Sequence, residues 1–290
     1  MTKKLCFYSC CNAGYIPFAI QSLYSIYLLH PEYDYYIVSD CSDEKYVQMC
    51  KRYNITLKTI DIHHHFHKNT SRHWPSYCFW ILYGIHVFEK DYDYCCSVDG
   101  DIYCHKPLSL DFLSQEKDIY LIRTRRHLNS GVVFYNINTL IEKRFFESVL
   151  VLYNKTRFSS DQHLLIEWTK QYNSSFQIHY LNSRYNYVLG KENIHVINIP
   201  RLSLTNAYIN DHSEKEEKER SLDPTIDLDI CIYHFIYKWW CIPNIYSEPV
   251  NQIYKYAYKL HTNYLYTHFS KEEEIENNED FKILLFNKIK

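Results

Sequence analysis

Hydrophobic positions follow two different periods over the first hundred residues of the chain. Three segments carry apolar residues at helical spacing, as Ile16, Ile20 and Leu23 do in the first of them. Short apolar runs of strand length precede and follow these segments, at residues 5–10, 33–40, 55–61 and 92–99. Repeated strand-helix-strand units predict an α/β fold with a mostly parallel central sheet flanked by helices.

After residue 100 the alternation is less regular, although strands and helices remain recognisable. Strands are predicted at 118–123 and 131–137, and a further strand begins near residue 229. Polar residues that accept hydrogen bonds from a first helical turn predict the helix starts, which we place at Ser42 or Asp43, at Asn138, and at Ser159 or Ser160.

The predicted elements divide the chain into one main domain and a tail. Residues 211–223 form a charged run without an apolar face, which is typical of a solvated loop. Beyond it, the helical pattern of residues 246–290 predicts a C-terminal helical extension. We therefore expect residues 1–245 to form the main domain.

Charge and cysteine usage exclude several classes of partner. The net charge of −2 and a pI near 6.7 leave no basic face for nucleic acid or an anionic membrane. No apolar run reaches the roughly 18 residues that a membrane span needs. The 11 cysteines lie mostly in predicted strands and helices, and an odd number cannot all form disulfides within the chain. Both observations indicate reduced thiols and a cytoplasmic protein.

Two aspartates at the end of the fourth predicted strand are the first candidate chemistry. Asp-x-Asp occurs three times, at 91–93, 99–101 and 227–229, and Asp-Gly is also a common turn signal, so the pattern alone is weak. Only Asp99 and Asp101 lie at the carboxyl end of a buried strand, where open α/β sheets bind ligands. Two carboxylates there suit Mg²⁺ or Mn²⁺ together with phosphate oxygens.

The usual nucleotide-binding motifs are missing from the chain. Neither a P-loop nor a G-x-G-x-x-G fingerprint is present, so the loop after the first strand would have to hold a nucleotide. Asn12 can bond a base or ribose and Tyr15 offers a stacking face, but the same residues also suit an ordinary strand-to-helix connection. The histidine run at 63–67 lacks the ligand spacing of a zinc site, and we expect a loop there.

Several motifs in one order resemble glycosyltransferase family 8, the glycogenin-like enzymes. They are "FYSCCNAGYIPFAIQSLYSI", "SVDGDIY", "LNSGVVFYN", "SSDQHLL" and "IYHFIYKWW", within roughly residues 5–242. The resemblance implies the Rossmann-like GT-A fold. It also implies transfer of a hexose from a UDP-sugar to a hydroxyl acceptor on a glycan or protein, with retention at the anomeric carbon.

The resemblance also implies a role for individual residues. Asp99, Asp101 and His234 would bind Mn²⁺, or Mg²⁺ in its place. The donor UDP-sugar would contact Cys10, Cys11, Asn12, Tyr15, Gly100, Asn129 and Ser130. Catalytic roles would fall to Asp161, Gln162 and Lys238.

Two departures from the family pattern leave alternatives open. Lys238 lies two residues closer to His234 than usual and lacks a glycine before it, and Leu82 replaces a basic residue, for which Arg72 is one substitute. A non-catalytic nucleotide-sugar or glycan-binding module is therefore the main alternative. A metal-dependent phosphohydrolase is disfavoured because it usually needs a richer ligand cluster. A homodimer is a further candidate assembly.

Overall fold

The computed structural model describes most of the first 188 residues and one later strand. The described residues are 3–61, 77–104, 106–123, 128–156, 158, 160–188 and 231–234. Lys238, Arg72, the histidine run and the predicted boundary between residues 245 and 246 lie outside them.

A mixed seven-stranded sheet is the centre of the described chain. Its strands in chain order are β1 (Leu5–Cys10), β2 (Asp34–Ser39), β3 (Thr56–Thr59), β4 (Tyr94–Val98), β6 (Ile119–Arg123), β7 (Leu128–Asn136) and β8 (Ile178–Leu181). They pair in the order β3-β2-β1-β4-β7-β6-β8. The first four strands run parallel, β7 is antiparallel to β4 and β6, and β8 is parallel to β6. The predicted α/β fold is confirmed.

A second sheet of three short strands follows the candidate aspartates. It consists of β5 (Ile102–Cys104), β10 (Ile232–His234) and β9 (Tyr187–Val188), paired in that order. Backbone bonds hold the start of β10, because Cys231 N donates to Arg184 O over 2.8 Å and Lys106 N donates to Cys231 O over 3.4 Å.

Helices connect the strands of the large sheet. They are α1 (Ile16–Tyr27), α2 (Glu44–Arg52), α3 (Tyr77–Trp80), α4 (Gly84–Phe88), α5 (Ile137–Glu142), α6 (Phe145–Lys155) and α7 (Asp161–Tyr172). Asp43 caps α2 by accepting from Lys45 N over 2.9 Å, and Ser160 caps α7 by accepting from His163 N over 3.1 Å. Both starts agree with the sequence prediction.

The prediction of one helix capped by Asn138 is wrong. Asn136, the last residue of β7, is the cap, since its Oδ1 accepts from Thr139 N over 3.5 Å. The helix then stops, and α6 starts after Arg144, whose left-handed backbone (φ 55°) turns the chain. The turn allows Phe145 and Val149 to be buried in the core.

The described core consists of two apolar clusters, and β1 contributes alternate side chains to each. Phe7 belongs to one cluster and Tyr8 to the other, as the two-residue period of a strand requires. The Tyr8 hydroxyl donates to Ile81 O over 2.5 Å. A Cβ added to Gly84 would overlap the Tyr8 ring, so glycine lets α4 pack directly on that tyrosine.

Two sequence expectations concern thiols and membranes. The ten described cysteines are free thiols, and seven of them are buried in the core, namely Cys6, Cys11, Cys50, Cys95, Cys96, Cys104 and Cys231. Among the described helices, none combines the length and the apolar character needed to cross a bilayer.

Candidate functional site

The end of β4 places the two candidate aspartates at the carboxyl edge of the large sheet. Asp99 follows Val98 directly, and its backbone N–H donates to Gly131 O of β7 over 2.9 Å. Asp101 lies at the other end of the turn, just before β5. Both side chains are partly exposed, so the turn presents two carboxylates outside the strand ends, as the sequence predicts.

Gly100 occupies the turn without using the conformational freedom of glycine. No described glycine has a positive φ. A Cβ on Gly100 would lie 3.6 Å from Ala19 N and 3.8 Å from Phe18 Cβ, which are ordinary contacts with α1. The turn therefore tolerates a side chain, and the tight-turn interpretation of Asp-Gly does not explain this glycine.

His234 lies beside the two aspartates. One ligand atom from each of Asp99, Asp101 and His234 lies within 4.8 Å of the other two, and His234 is only 5% exposed. Two carboxylate oxygens and an imidazole nitrogen suit Mn²⁺ or Mg²⁺. The structure thus brings together all three predicted ligands, although His234 comes from a strand far along the chain.

An irregularity in β7 positions Asn129 and Ser130 next to this turn. Leu121 of β6 pairs with Val133, whereas the next residue, Ile122, pairs with Asn129. Residues 130–132 of β7 therefore have no pairing partner in β6. Asn129 Oδ1 accepts from Gly131 N over 2.7 Å. Since Gly131 O accepts from Asp99 N, this bulge in β7 connects the predicted sugar-binding residues to the turn that contains Asp99 and Asp101.

Asn186 also belongs to this network, and sequence reasoning missed it. It is fully buried just before β9, and its Nδ2 donates to Asn129 Oδ1. A single asparagine in "SRYNYV" is an ordinary turn residue by sequence. The side-chain hydrogen bond to Asn129 of β7 reveals its position.

The loop after β1 contains the residues predicted to hold the nucleotide. Cys11 N donates to Val38 O over 3.1 Å, which fixes the loop against β2. Burial, and then the neighbouring Cys11, raise the pKa of the Cys10 thiol well above its usual value. Burial likewise raises the pKa of the Cys11 thiol, so both thiols are neutral at ordinary pH, which agrees with a role for the backbone rather than for the sulfur atoms.

Asn12 precedes and Tyr15 ends a single 3-10 turn, Ala13–Tyr15, that leads into α1. Asn12 Oδ1 is inaccessible to solvent and has no hydrogen-bond partner among the described residues. Tyr15 is half-buried, and its ring centroid lies 6.0 Å from that of its aromatic neighbour Phe18. A buried carbonyl oxygen without a donor is costly, so Asn12 is suited to accept a hydrogen bond from a ligand or water.

Asp161 and Gln162 form the first turn of α7 and are partly exposed. Because Ser160 provides the cap, Asp161 is not needed for it. Burial is the main cause that raises the pKa of Tyr135 in β7, and the charge of Asp161 adds to it. Asp161 therefore lies near β7.

Leu82, which stands where the family has a basic residue, is buried in the core. It is 1% exposed and packs in the second core cluster with Tyr8 and Ile85. The family's basic residue has no counterpart at this position in the described chain.

The α/β fold of this chain matches the GT-A fold of solved glycosyltransferase structures. Solved structures similar to this chain include a galactosyltransferase, LgtC, in complex with donor and acceptor sugar analogues. That structure has a TM-score of 0.58 and 14% identity, and the match covers 89% of this chain and 95% of LgtC.

Two further structures share the fold. The glycosyltransferase GlyE of Streptococcus pneumoniae TIGR4 has a TM-score of 0.58 at 12% identity over 93% of this chain and 64% of GlyE. Mouse xyloside xylosyltransferase 1 has a TM-score of 0.51 at 13% identity over 80% of this chain and 96% of the mouse protein. No family model and no curated protein sequence matches the chain, so these similarities show the fold alone.

Proposed function

We propose that the protein is a metal-dependent glycosyltransferase that moves a hexose from a UDP-sugar to a hydroxyl group of a glycan or protein. The observation that carries this proposal is the cluster of Asp99, Asp101 and His234 at the carboxyl edge of a GT-A sheet. The fold is shared with proteins that are named as a galactosyltransferase and a xylosyltransferase. The resemblance of the motif order to glycosyltransferase family 8 supports a UDP-sugar donor and retention.

The ligand set suits Mn²⁺ better than a soft metal, because it combines carboxylates with one imidazole. Asp99, Asp101 and His234 would hold the ion. A divalent cation bound there supplies positive charge that stabilises a departing diphosphate.

The other residues divide between binding and chemistry. Asn12 and Tyr15 hold the uridine, with the backbone of Cys10 and Cys11 beside it, and Gly100 lets the diphosphate approach the turn. Asn129 and Ser130 contact hydroxyls of the sugar.

Asp161 and Gln162 lie beneath the reacting sugar in this proposal, and Lys238 stabilises the diphosphate electrostatically. Retention then follows one of two routes. The acceptor attacks from the face that UDP leaves, with the phosphate taking its proton, or an enzyme nucleophile first forms a covalent intermediate. Asp161 or Gln162 serves the second route.

The experiment is an assay of UDP release from several UDP-sugars, with Mn²⁺ and with EDTA. We expect turnover with one or more donors, loss of turnover with EDTA, and loss in Asp101→Asn. If no donor is turned over, or if Asp101→Asn keeps wild-type activity, the protein does not have this function.

A non-catalytic nucleotide-sugar or glycan-binding module is the second candidate. It is favoured by the buried Leu82, because this position then offers no basic side chain to a donor. Such a module would bind a UDP-sugar in calorimetry and release no UDP. We also propose that residues 1–245 form the glycosyltransferase domain and residues 246–290 an extension of it. The ten described cysteines, which are free thiols, support a cytoplasmic location.

A further inference from the structure

The hydrogen bonds of Asn129 determine which way its side-chain amide points. Gly131 N can only donate, so the Asn129 atom 2.7 Å from it is the oxygen, Oδ1. Asn186 contacts the same oxygen and must therefore donate to it through Nδ2. The two donors occupy both lone-pair positions of Asn129 Oδ1.

The amide nitrogen of Asn129 is then the atom left for a ligand. None of the described residues accepts a hydrogen bond from Asn129 Nδ2. This nitrogen keeps some contact with solvent, because it is not among the described side-chain atoms that are both fully buried and unbonded. Asn186, in contrast, is fully buried. Its side chain contacts Asn129, so we expect it to act on the site through that residue.

We propose that Asn186 is a positioning residue that fixes Asn129 with its N–H group toward the donor sugar. Asn129 then donates to a hydroxyl oxygen of the transferred sugar, and the site requires an oxygen with a free lone pair at that position. This inference rests on the proposed function and adds the direction of one hydrogen bond. The same network reaches the turn that contains Asp99 and Asp101, because Gly131 O accepts from Asp99 N.

Two substitutions change this arrangement in different ways at almost constant volume. Asn186→Asp replaces the donor with a carboxylate, which repels Asn129 Oδ1 and favours a flipped amide, with Nδ2 turned inward and the Gly131 bond lost. Asn129→Asp keeps an oxygen for both internal donors and removes only the outward N–H group. Both variants should therefore lose the same contact with the sugar.

Asn182→Asp is the matched control on the same segment. Asn182 Oδ1 accepts from Arg184 N over 3.0 Å on the exposed surface, and a carboxylate can accept that bond equally well. It introduces the same charge as Asn186→Asp. A general effect of charge on this segment would appear in both variants.

The first measurement is kcat/KM for UDP release, together with UDP affinity by calorimetry in Mn²⁺. We expect Asn186→Asp and Asn129→Asp to lower kcat/KM roughly 10- to 100-fold, the effect of one hydrogen bond. UDP affinity should stay within about twofold of wild type, because the contact is with the sugar and not with the nucleotide. Asn182→Asp should match wild type in both measurements.

The second measurement uses UDP-sugars that lack one hydroxyl group each. One such donor should react slowly with wild type, and its penalty should disappear in both variants, because the hydroxyl has lost its partner. A merely structural role for Asn186 would leave that penalty unchanged. Wild-type kcat/KM in either variant, or unchanged penalties for every deoxy donor, would overturn the inference.

Calorimetry with intact UDP-sugars separates this inference from the proposed function. If wild type binds a UDP-sugar more tightly than UDP without releasing product, the proposed function fails. The inference is then tested by whether both variants lose that extra affinity. If the sugar adds no affinity and is not transferred, both ideas are wrong.

Discussion

The side chains of Asp99, Asp101 and His234 offer three ligand atoms within 4.8 Å of one another, close enough to share one metal ion. Two carboxylates close to each other repel, and an imidazole nearby relieves that repulsion only when it is protonated or when a cation is bound. The cluster lies at the edge of the sheet, where its aspartates remain in contact with solvent. Metal binding at this cluster therefore has a direct thermodynamic test.

Mn²⁺ should raise the melting temperature of the wild-type protein, because an ion that binds only the folded state stabilises it by mass action. At a concentration 100 times its dissociation constant the gain is about 2.7 kcal/mol. Differential scanning fluorimetry with and without Mn²⁺ measures the shift. Asp101→Asn should abolish most of it.

Asp91→Asn is the control for this measurement. Asp91 belongs to another Asp-x-Asp triplet, is exposed, and lies on the chain before β4. It should keep the full Mn²⁺ shift. An equal shift in Asp101→Asn and wild type would show that the ion binds elsewhere.

Replacement by alanine should destabilise the protein at one glycine and have little effect at another. In Gly84→Ala the new methyl group overlaps the buried Tyr8 ring, whose hydroxyl is bonded to Ile81 O, so the ring cannot move freely. We expect a loss of about 1–3 kcal/mol in the free energy of unfolding, measured in urea. Gly100→Ala makes only ordinary contacts and should change the free energy of unfolding by less than about 0.5 kcal/mol. Equal losses in both would contradict the packing described for Tyr8.

At the level of elements, helix starts show where local sequence is sufficient. Asp43 and Ser160 act as caps because a side-chain oxygen close in sequence accepts from the first turn. The prediction of Asn138 was wrong because β7 continues to Asn136 and passes directly into α5. How far a strand extends depends on its partners, and β7 pairs with both β4 and β6.

Ser160→Ala should lower the free energy of unfolding by about 1 kcal/mol, because His163 N loses its acceptor. Urea denaturation measures the loss. Ser160→Asp, which offers another oxygen, should retain most of the stability. If Ser160→Asp is as unstable as Ser160→Ala, the hydroxyl has a role other than capping.

On the scale of the whole molecule, the buried thiols link stability to pH. Burial raises the pKa of Cys6, Cys10, Cys95 and Cys96 well above the usual thiol value. Above about pH 9 the thiols of the unfolded chain lose their protons while those of the folded chain keep them. The unfolded state then binds fewer protons, so stability is present below this pH and decreases as pH rises.

The free energy of unfolding should decrease by up to about 1.4 kcal/mol per pH unit for each such thiol above pH 9. Urea denaturation at pH 8, 9 and 10 with a reducing agent measures the slope. The double variant Cys95→Ala, Cys96→Ala should have a shallower slope than wild type. A free energy of unfolding that does not change over this range would contradict the burial of these thiols.

Local patterns in the sequence determined the alternating strands and helices, two of the three predicted helix caps, and the position of Asp99 and Asp101 at a strand end. These features depend on residues that are neighbours in the chain, through the strand and helix periods and the reach of a capping side chain. The likeness to a known motif order indicated His234 as a third ligand, but no local pattern could do so.

Only the tertiary structure decided what meets at the site. It brought His234 to the aspartates, buried Leu82 in the core, left residues 130–132 of β7 without a pairing partner in β6, and set Asn186 against Asn129. These are contacts between residues far apart in the chain, and they depend on strand pairing and packing. The direction of the Asn129 amide follows from two such contacts, so the sequence identifies the residue while the fold determines which atom it presents.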